Sequence, residues 1–205
     1  RLEAADTPIG LTSPVSPPRC HTVRPMPMLE RYSIFQQAYL VNDLAAACHQ
    51  WNRLLGAGPF FLTWHHRTDW FTYRGTDTEA DVSYAFGYLG DLMIQFIQQH
   101  DDQPSIYRDM YPAGAEGFHH VAVLVNDYAG ERQRMVDLGF EVSCELRAND
   151  AEAAYVDTRS VNGGFTELHS DPPRIVAMFA QWRRAHELWR AGDPVIVERP
   201  ARPPA

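Results

Sequence analysis

The chain has 205 residues, 45% of them hydrophobic and 21% charged, with a formal net charge of −8 and a pI of about 5.5. That describes one soluble domain or two small fused modules, long enough to bury a core, and the acidic balance argues against nucleic acid or an anionic membrane held by bulk charge. All 18 basic residues are Arg, which excludes a Schiff base on a Lys amine. The cysteines Cys20, Cys48 and Cys144 are odd in number and widely spaced. They make no disulfide framework, and a reducing cytoplasm is the expected compartment. No stretch approaches the ~20 apolar residues of a membrane span.

Residues 1–32 are rich in Pro and lack periodicity, so they read as an extended arm that is a loose tail or wraps a neighbour. A first module follows over 33–100. A strand at 34–41 leads to Asp43, a helix N-cap, and the helix runs from Leu44 to about Leu55. Leu44, Ala47, Cys48, Trp51, Leu54 and Leu55 recur on one face, and Gly56 supplies the stop. Pro59 to Trp64 is a short aromatic strand. His65 to Thr78 is a long polar and aromatic hairpin loop. Two further strands, Asp81–Tyr88 and Leu92–Gln98, flank a turn at Leu89-Gly90-Asp91.

After a linker with Pro104 and Pro112, the order repeats over 117–170. Strand 118–125 precedes a helix at 128–138, and strands 140–146, 153–158 and 164–169 follow, with a turn at Asn162-Gly163-Gly164. A helix capped by Ser170 or Asp171, with Pro in its first turn, runs to about Arg190, striped with Ile175, Met178, Phe179, Trp182, His186 and Trp189 for core packing. The rest of 171–205 is tail.

The repeat is visible in the residues themselves. Ala38-Tyr39-Leu40-Val41-Asn42-Asp43 and Ala122-Val123-Leu124-Val125-Asn126-Asp127 share the pattern Ala-x-Leu-Val-Asn-Asp, and 84 residues separate the two caps. Seven positions before each cap stand Gln36 and His120, both able to bind a metal. Gln37 and His119 compete with them, because a slip of one residue exchanges the faces of a strand. In the last strand of the first module Gln95 shares a face with Met93 and Ile97. A polar group on an apolar face is costly unless bonded.

Two β-α-β-β-β modules, each opening on such a residue before an Asn-Asp cap, resemble the vicinal oxygen chelate superfamily of glyoxalase I, methylmalonyl-CoA epimerase, extradiol dioxygenases and bleomycin-resistance proteins. The resemblance covers roughly residues 33–170. It implies an α+β fold in which two modules pair about a pseudo-twofold axis into an open, curled mixed sheet around a central cavity. It also implies one divalent metal held by the first and last strands of each module, at Gln36, Gln95, His120 and Glu167. Two amide oxygens, an imidazole and a carboxylate suit Zn²⁺, Co²⁺, Ni²⁺ or Mn²⁺. The set is nearest to the epimerases, which have His where Gln36 stands, and to glyoxalase I, which also has Gln first. The missing first His counts against ring-cleaving oxygenation, the third reading.

The leading implication is isomerase or lyase chemistry at a carbon next to a carbonyl, through a metal-stabilised enolate, with Glu167 moving the proton of a carbonyl or thioester substrate. The alternative is a metal-free binding protein of the bleomycin-resistance type. Glu79, Asp81 and Tyr84 are candidate second acids or bases, and His169 a candidate neighbour of the metal set. Trp64, His65, His66, Trp70 and Tyr73 are candidates to roof the pocket, and Arg67, Arg74, Arg147 and Arg159 to meet an acidic substrate. Open sheet edges and the aromatic final helix, with the dimers common in the family, imply a homodimer.

Overall fold

The computed structural model describes residues 31–200. The Pro-rich arm, with Cys20, Met26 and Met28, lies outside the described residues except at its last two positions.

Strand β1 (Ile34–Leu40) ends at Asp43, whose carboxylate accepts a hydrogen bond from the Ala46 N–H at 2.9 Å and opens helix α1 (Leu44–Leu55). Gly56 closes that helix in the left-handed region, at φ 74°, where only glycine sits without strain. Leu44 and Cys48 are buried and Trp51 is half-buried, whereas Leu54 and Leu55 are 64% and 52% exposed. The apolar face expected along the whole helix therefore reaches the core only through its first turns.

The chain continues through β2 (Phe60–Thr63), β3 (Trp70–Tyr73), β4 (Thr76–Asp77), β5 (Val82–Leu89) and β6 (Leu92–Gln99). In the linker, Ser105 caps a short helix α2 (Ile106–Met110) that buries Ile106 and Tyr107. The second half adds β7 (Gly117–Val125), α3 (Tyr128–Asp137, capped by Asp127), β8 (Val142–Ala148), β9 (Ala151–Val156), α4 (Arg159–Asn162) and β10 (Phe165–Ser170). Helix α4 occupies the place of the expected turn. Helix α5 (Pro173–Leu188) starts on Pro172 and Pro173, without the side-chain cap expected of Ser170 or Asp171. The expected tail contains a strand, β11 (Ile196–Glu198).

The eleven strands of the described residues form one mixed sheet in the order β11-β2-β5-β6-β1-β7-β10-β9-β8-β3-β4. In each half the first strand lies parallel to the last, β1 to β6 and β7 to β10. The halves meet along the antiparallel pair β1·β7, where Gln36 stands opposite Ala122 and Ala38 opposite His120. Because the 84-residue offset relates Gln36 to His120 and Ala38 to Ala122, this pairing is its own image about the Gln37–Val121 pair. The same offset relates Ala38 opposite Gln95 to Ala122 opposite Glu167.

The expected hairpin loop makes strands β3 and β4, but they do not stay with the first half. Strand β3 pairs with β8, with Trp70 opposite Arg147 and Tyr73 opposite Cys144, and extends the second half's sheet. At the other end β11 lies parallel to β2. Helices α1 and α3 pack on one face, over Leu44, Phe60, Ile94 and Phe96 and over Val123, Met135 and Leu168. Helix α5 crosses the opposite face, burying Ile175, Phe179 and Trp182 with Met93 and Tyr88. Its aromatic stripe is thus satisfied within its own chain. No helix among the described residues is long and apolar enough to cross a membrane.

Candidate functional site

Strand alternation sends Gln36, Gln95, His120 and Glu167 to the face away from α1 and α3, where they converge at the β1·β7 centre. All four are buried, between 0% and 4% exposed. The Gln36 Nε2 donates to Gln95 Oε1 at 2.8 Å and to Glu167 Oε2 at 3.3 Å, and lies 3.3 Å from His120 Nε2. His120 Nε2 is 3.0 Å from Glu167 Oε2. Ala38 stands in register between Gln95 and His120, and Ala122 between Gln36 and Glu167. Their small side chains leave the four longer ones room to meet.

The neighbours of His120 fix its tautomer. His119 Nε2 faces the Ile106 carbonyl at 3.1 Å and must donate to it. Burial, with His120 beside it, lowers the His119 pKa to about 3, so the ring is neutral and its Nδ1 is a bare acceptor. The His120 Nδ1–H donates to that atom at 2.9 Å. Burial also lowers the His120 pKa to about 3. The His120 Nε2 is therefore a lone pair aimed at a carboxylate oxygen, and no ion pair joins them. Two acceptors 3.0 Å apart repel unless a proton or a cation lies between them. Burial raises the Glu167 pKa, which favours the proton, while the nearby His169 and a hydrogen bond from Tyr155 oppose it.

A divalent ion fits this donor set. Turning the Gln36 amide end for end brings a fourth acceptor atom into the cluster, and the two orientations have the same shape. Among the described residues no three His, Cys, Asp or Glu side chains gather as a metal group, so any ion here relies on the two amides. Of the alternatives one residue away, Gln37 turns away from the cluster, while His119 falls at a register shift between β1 and β7 and lies beside His120 without reaching the cluster centre. Gln37 accepts from the Tyr39 hydroxyl, and the His119 ring stacks on Phe165.

Above the cluster lies a cavity of about 140 Å³, bordered by Gln36, Gln95, Tyr155 and Glu167 on the sheet and by Ile175, Met178, Phe179 and Trp182 of α5. His169 also borders it, with its ring edge against Phe179 at 5.7 Å. The roof is α5 rather than the aromatic loop, of which only His66 reaches the cavity. Trp70 is 41% exposed, and the Tyr73 hydroxyl donates to Asp109. Among the second acid/base candidates, Tyr84 borders the cavity and its hydroxyl is 3.0 Å from that of Tyr107. Asp81 is engaged by His65 at 2.8 Å, and Glu79 opens onto an outer groove with Arg67.

None of the four arginines singled out from the sequence borders the cavity. Arg74 binds Asp109 and Glu141, and Arg159 binds Asp157. The cavity's guanidiniums are Arg174 and Arg199. The stretch Val195-Ile196-Val197, β-branched and bounded by Pro194 and Pro200, was the available signal for the strand that leads into Arg199.

Paired halves that each join a first strand to a last, around a buried polar cluster under a roofed cavity, define a class of small-molecule proteins built on duplicated β-α-β-β-β units. The chain belongs to the glyoxalase/bleomycin resistance protein/dioxygenase superfamily, whose family model matches residues 35–156, more than half of its length. Members commonly bind a divalent metal and small-molecule substrates, and commonly form dimers. Among solved structures it is similar to methylmalonyl-CoA epimerase from Mycobacterium tuberculosis, at 16% identity over 70% of this chain and 91% of that one, with a TM-score of 0.49. It is also similar to a hypothetical protein from Bacillus halodurans C-125, at 16% identity over 69% and 96%, with a TM-score of 0.47. A Streptomyces coelicolor methylmalonyl-CoA epimerase in complex with 2-nitronate-propionyl-CoA matches at 16% identity over 67% and 96%, with a TM-score of 0.45. No curated protein matches the chain.

Proposed function

We propose that this protein is a metal-dependent isomerase or lyase that moves a proton at a carbon next to a carbonyl. The observation that carries the reading is the contact between the bare His120 Nε2 and Glu167 Oε2, which a cation would turn from repulsion into shared ligation. Gln36, Gln95, His120 and Glu167 would hold Zn²⁺, Co²⁺, Ni²⁺ or Mn²⁺. Such an ion supplies Lewis-acid polarisation of a carbonyl oxygen.

The chain's own residues do the rest. His119 holds the His120 ring in the tautomer that leaves Nε2 free. Glu167 borders the cavity and takes the substrate's α-proton: the C–H bond breaks, its electron pair delocalises toward the carbonyl, and the proton resides on the carboxylate until it is returned. Burial, which raises the Glu167 pKa, lets the carboxyl keep that proton between the two steps. Tyr155 orients Glu167 through its hydroxyl, and of the three candidate second acids or bases Tyr84 is the one that borders the cavity. Helix α5 excludes water from the reacting carbon.

Glu167→Gln keeps the shape and removes the base. Its fold, read by circular dichroism, is expected to persist, while exchange of a substrate α-proton into heavy water falls by about 10²-fold or more. Unchanged exchange would refute the role. Protein purified without chelator is expected to carry about one equivalent of metal by elemental analysis. Less than about a tenth, unrestored by added Co²⁺ or Zn²⁺, would favour the alternative of a metal-free binding protein holding a planar ligand against Phe86, Phe179 and Trp182.

A further inference from the structure

The cavity contains a cation whose partners are not anions. The Arg199 Nη1 donates to Thr63 Oγ1 at 3.3 Å and its Nη2 to Met178 Sδ at 3.4 Å, while its Cζ lies 5.0 Å from the centre of the Trp182 ring. A hydroxyl, a thioether and an aromatic face leave the guanidinium's charge uncompensated among the described residues. The second guanidinium differs: Arg174 gives both Nε and Nη2 to Asp150 Oδ1, at 2.8 and 2.5 Å. Burial together with the nearby Arg174 lowers the Arg199 pKa, the signature of a cation that lacks a counter-charge. Among the described residues the one carboxylate on the cavity wall is Glu167, at the donor cluster.

Its surroundings are apolar and rigid. Trp182 stacks on Phe61 at 5.1 Å and on Phe86 at 5.4 Å, so the ring beneath Arg199 cannot swing away. The backbone of Arg199 is tied to the sheet by its N–H donating to the Leu62 carbonyl at 2.8 Å. A half-buried, preorganised guanidinium beside aromatic walls is a receptor for a planar anion on a carbon body.

We propose that the cavity takes a small carboxylic acid, with its carboxylate on Arg199 and its carbon skeleton against Phe86, Phe179 and Trp182. Carboxylate is preferred to phosphate because a single guanidinium matches two oxygens as a fork, whereas a phosphate dianion demands more donors than this apolar wall offers. Arg199 then sets specificity at the end of the pocket supplied by α5 and β11, outside the two repeated units. The assignment deepens the carbonyl-chemistry reading but does not require it, since Arg199 is not one of the metal cluster's donors.

The test uses full-length protein in excess chelator, titrated calorimetrically with 3-phenylpropanoate and with its neutral counterpart 3-phenylpropanamide. The acid is expected to bind at least about tenfold more tightly than the amide. Arg199→Gln is expected to remove that preference with the amide affinity unchanged, and Arg199→Lys to retain part of it. Equal binding of acid and amide by the unaltered protein would overturn the proposal without recourse to any variant. So would loss of both ligands alike in a folded Arg199→Gln protein, or tighter binding of a phenylalkyl phosphate than of the acid. Because no metal is present in these titrations, failure of the proton-exchange reading would leave their outcome untouched.

Discussion

At the scale of single residues, the cluster depends on small side chains as much as on the four that meet. Ala38 and Ala122 share its face and stand in register between members of the set. Both are fully buried. Ala122→Leu places a branched side chain between Gln36 and Glu167, and such overpacking costs about 1–3 kcal/mol. The melting temperature is expected to drop by several degrees and added Co²⁺ to stabilise the variant less than the parent. Equal metal-induced shifts in both proteins would show that the donors meet elsewhere. Gln36 and His120 were legible because the repeated Ala-x-Leu-Val-Asn-Asp pattern set the register of their strands, Gln95 because it interrupts an apolar face, and Glu167 only through the family resemblance. The tautomer of His120 was not, since it depends on the Ile106 carbonyl, which belongs to a linker helix with no counterpart in the repeat.

At the scale of elements, helix α5 carries the largest correction. Its stripe reads as core packing from spacing alone, and Ile175, Phe179 and Trp182 are indeed buried. What they pack against is the open face of the sheet, so the same side chains that stabilise the helix wall the cavity. Spacing reports that a face is apolar and is silent on which surface it covers. Trp182→Ala should cost about 3–5 kcal/mol by the loss of a buried indole. It should also open the cavity and free Arg199, so a hydrophobic dye that fluoresces in exposed apolar pockets is expected to bind the folded variant and not the parent. No dye binding by the folded variant would place the roof elsewhere. The hairpin β3–β4 was legible as a hairpin but not in its destination, because pairing with β8 is a contact between residues more than 70 apart.

At the scale of the whole molecule, both outer edges of the repeated units are covered. Strand β11 lies against β2, and the hairpin lies against β8. Among the described residues the edges that remain are short: β11 has three residues and β4 has two. Short edge strands are a defence against edge-to-edge pairing, so a dimer of this chain would not arise through long free edges or through the stripe of α5. Exposed Val161, Val176, Leu138 and Leu188 are apolar surface available to one. A homodimer is expected by light scattering at micromolar concentration, and recovery of the 23.3 kDa monomer mass would count against it.

The exchange of strands between the halves sets a schedule for the nascent chain. Strand β3 leaves the first half early with only the two-residue β4 beside it until β8 has been synthesised, and the outer edge of β2 waits longer still for β11. Neither half covers its own outer edge, although each carries a complete unit of the repeat. Long-range pairing of this kind slows folding, because loop closure must come before the contacts that reward it. Circular dichroism and tryptophan fluorescence should therefore report one coincident unfolding transition in urea. Two separated transitions would mean that the duplicated units still melt independently, as an ancestral pair of single units would.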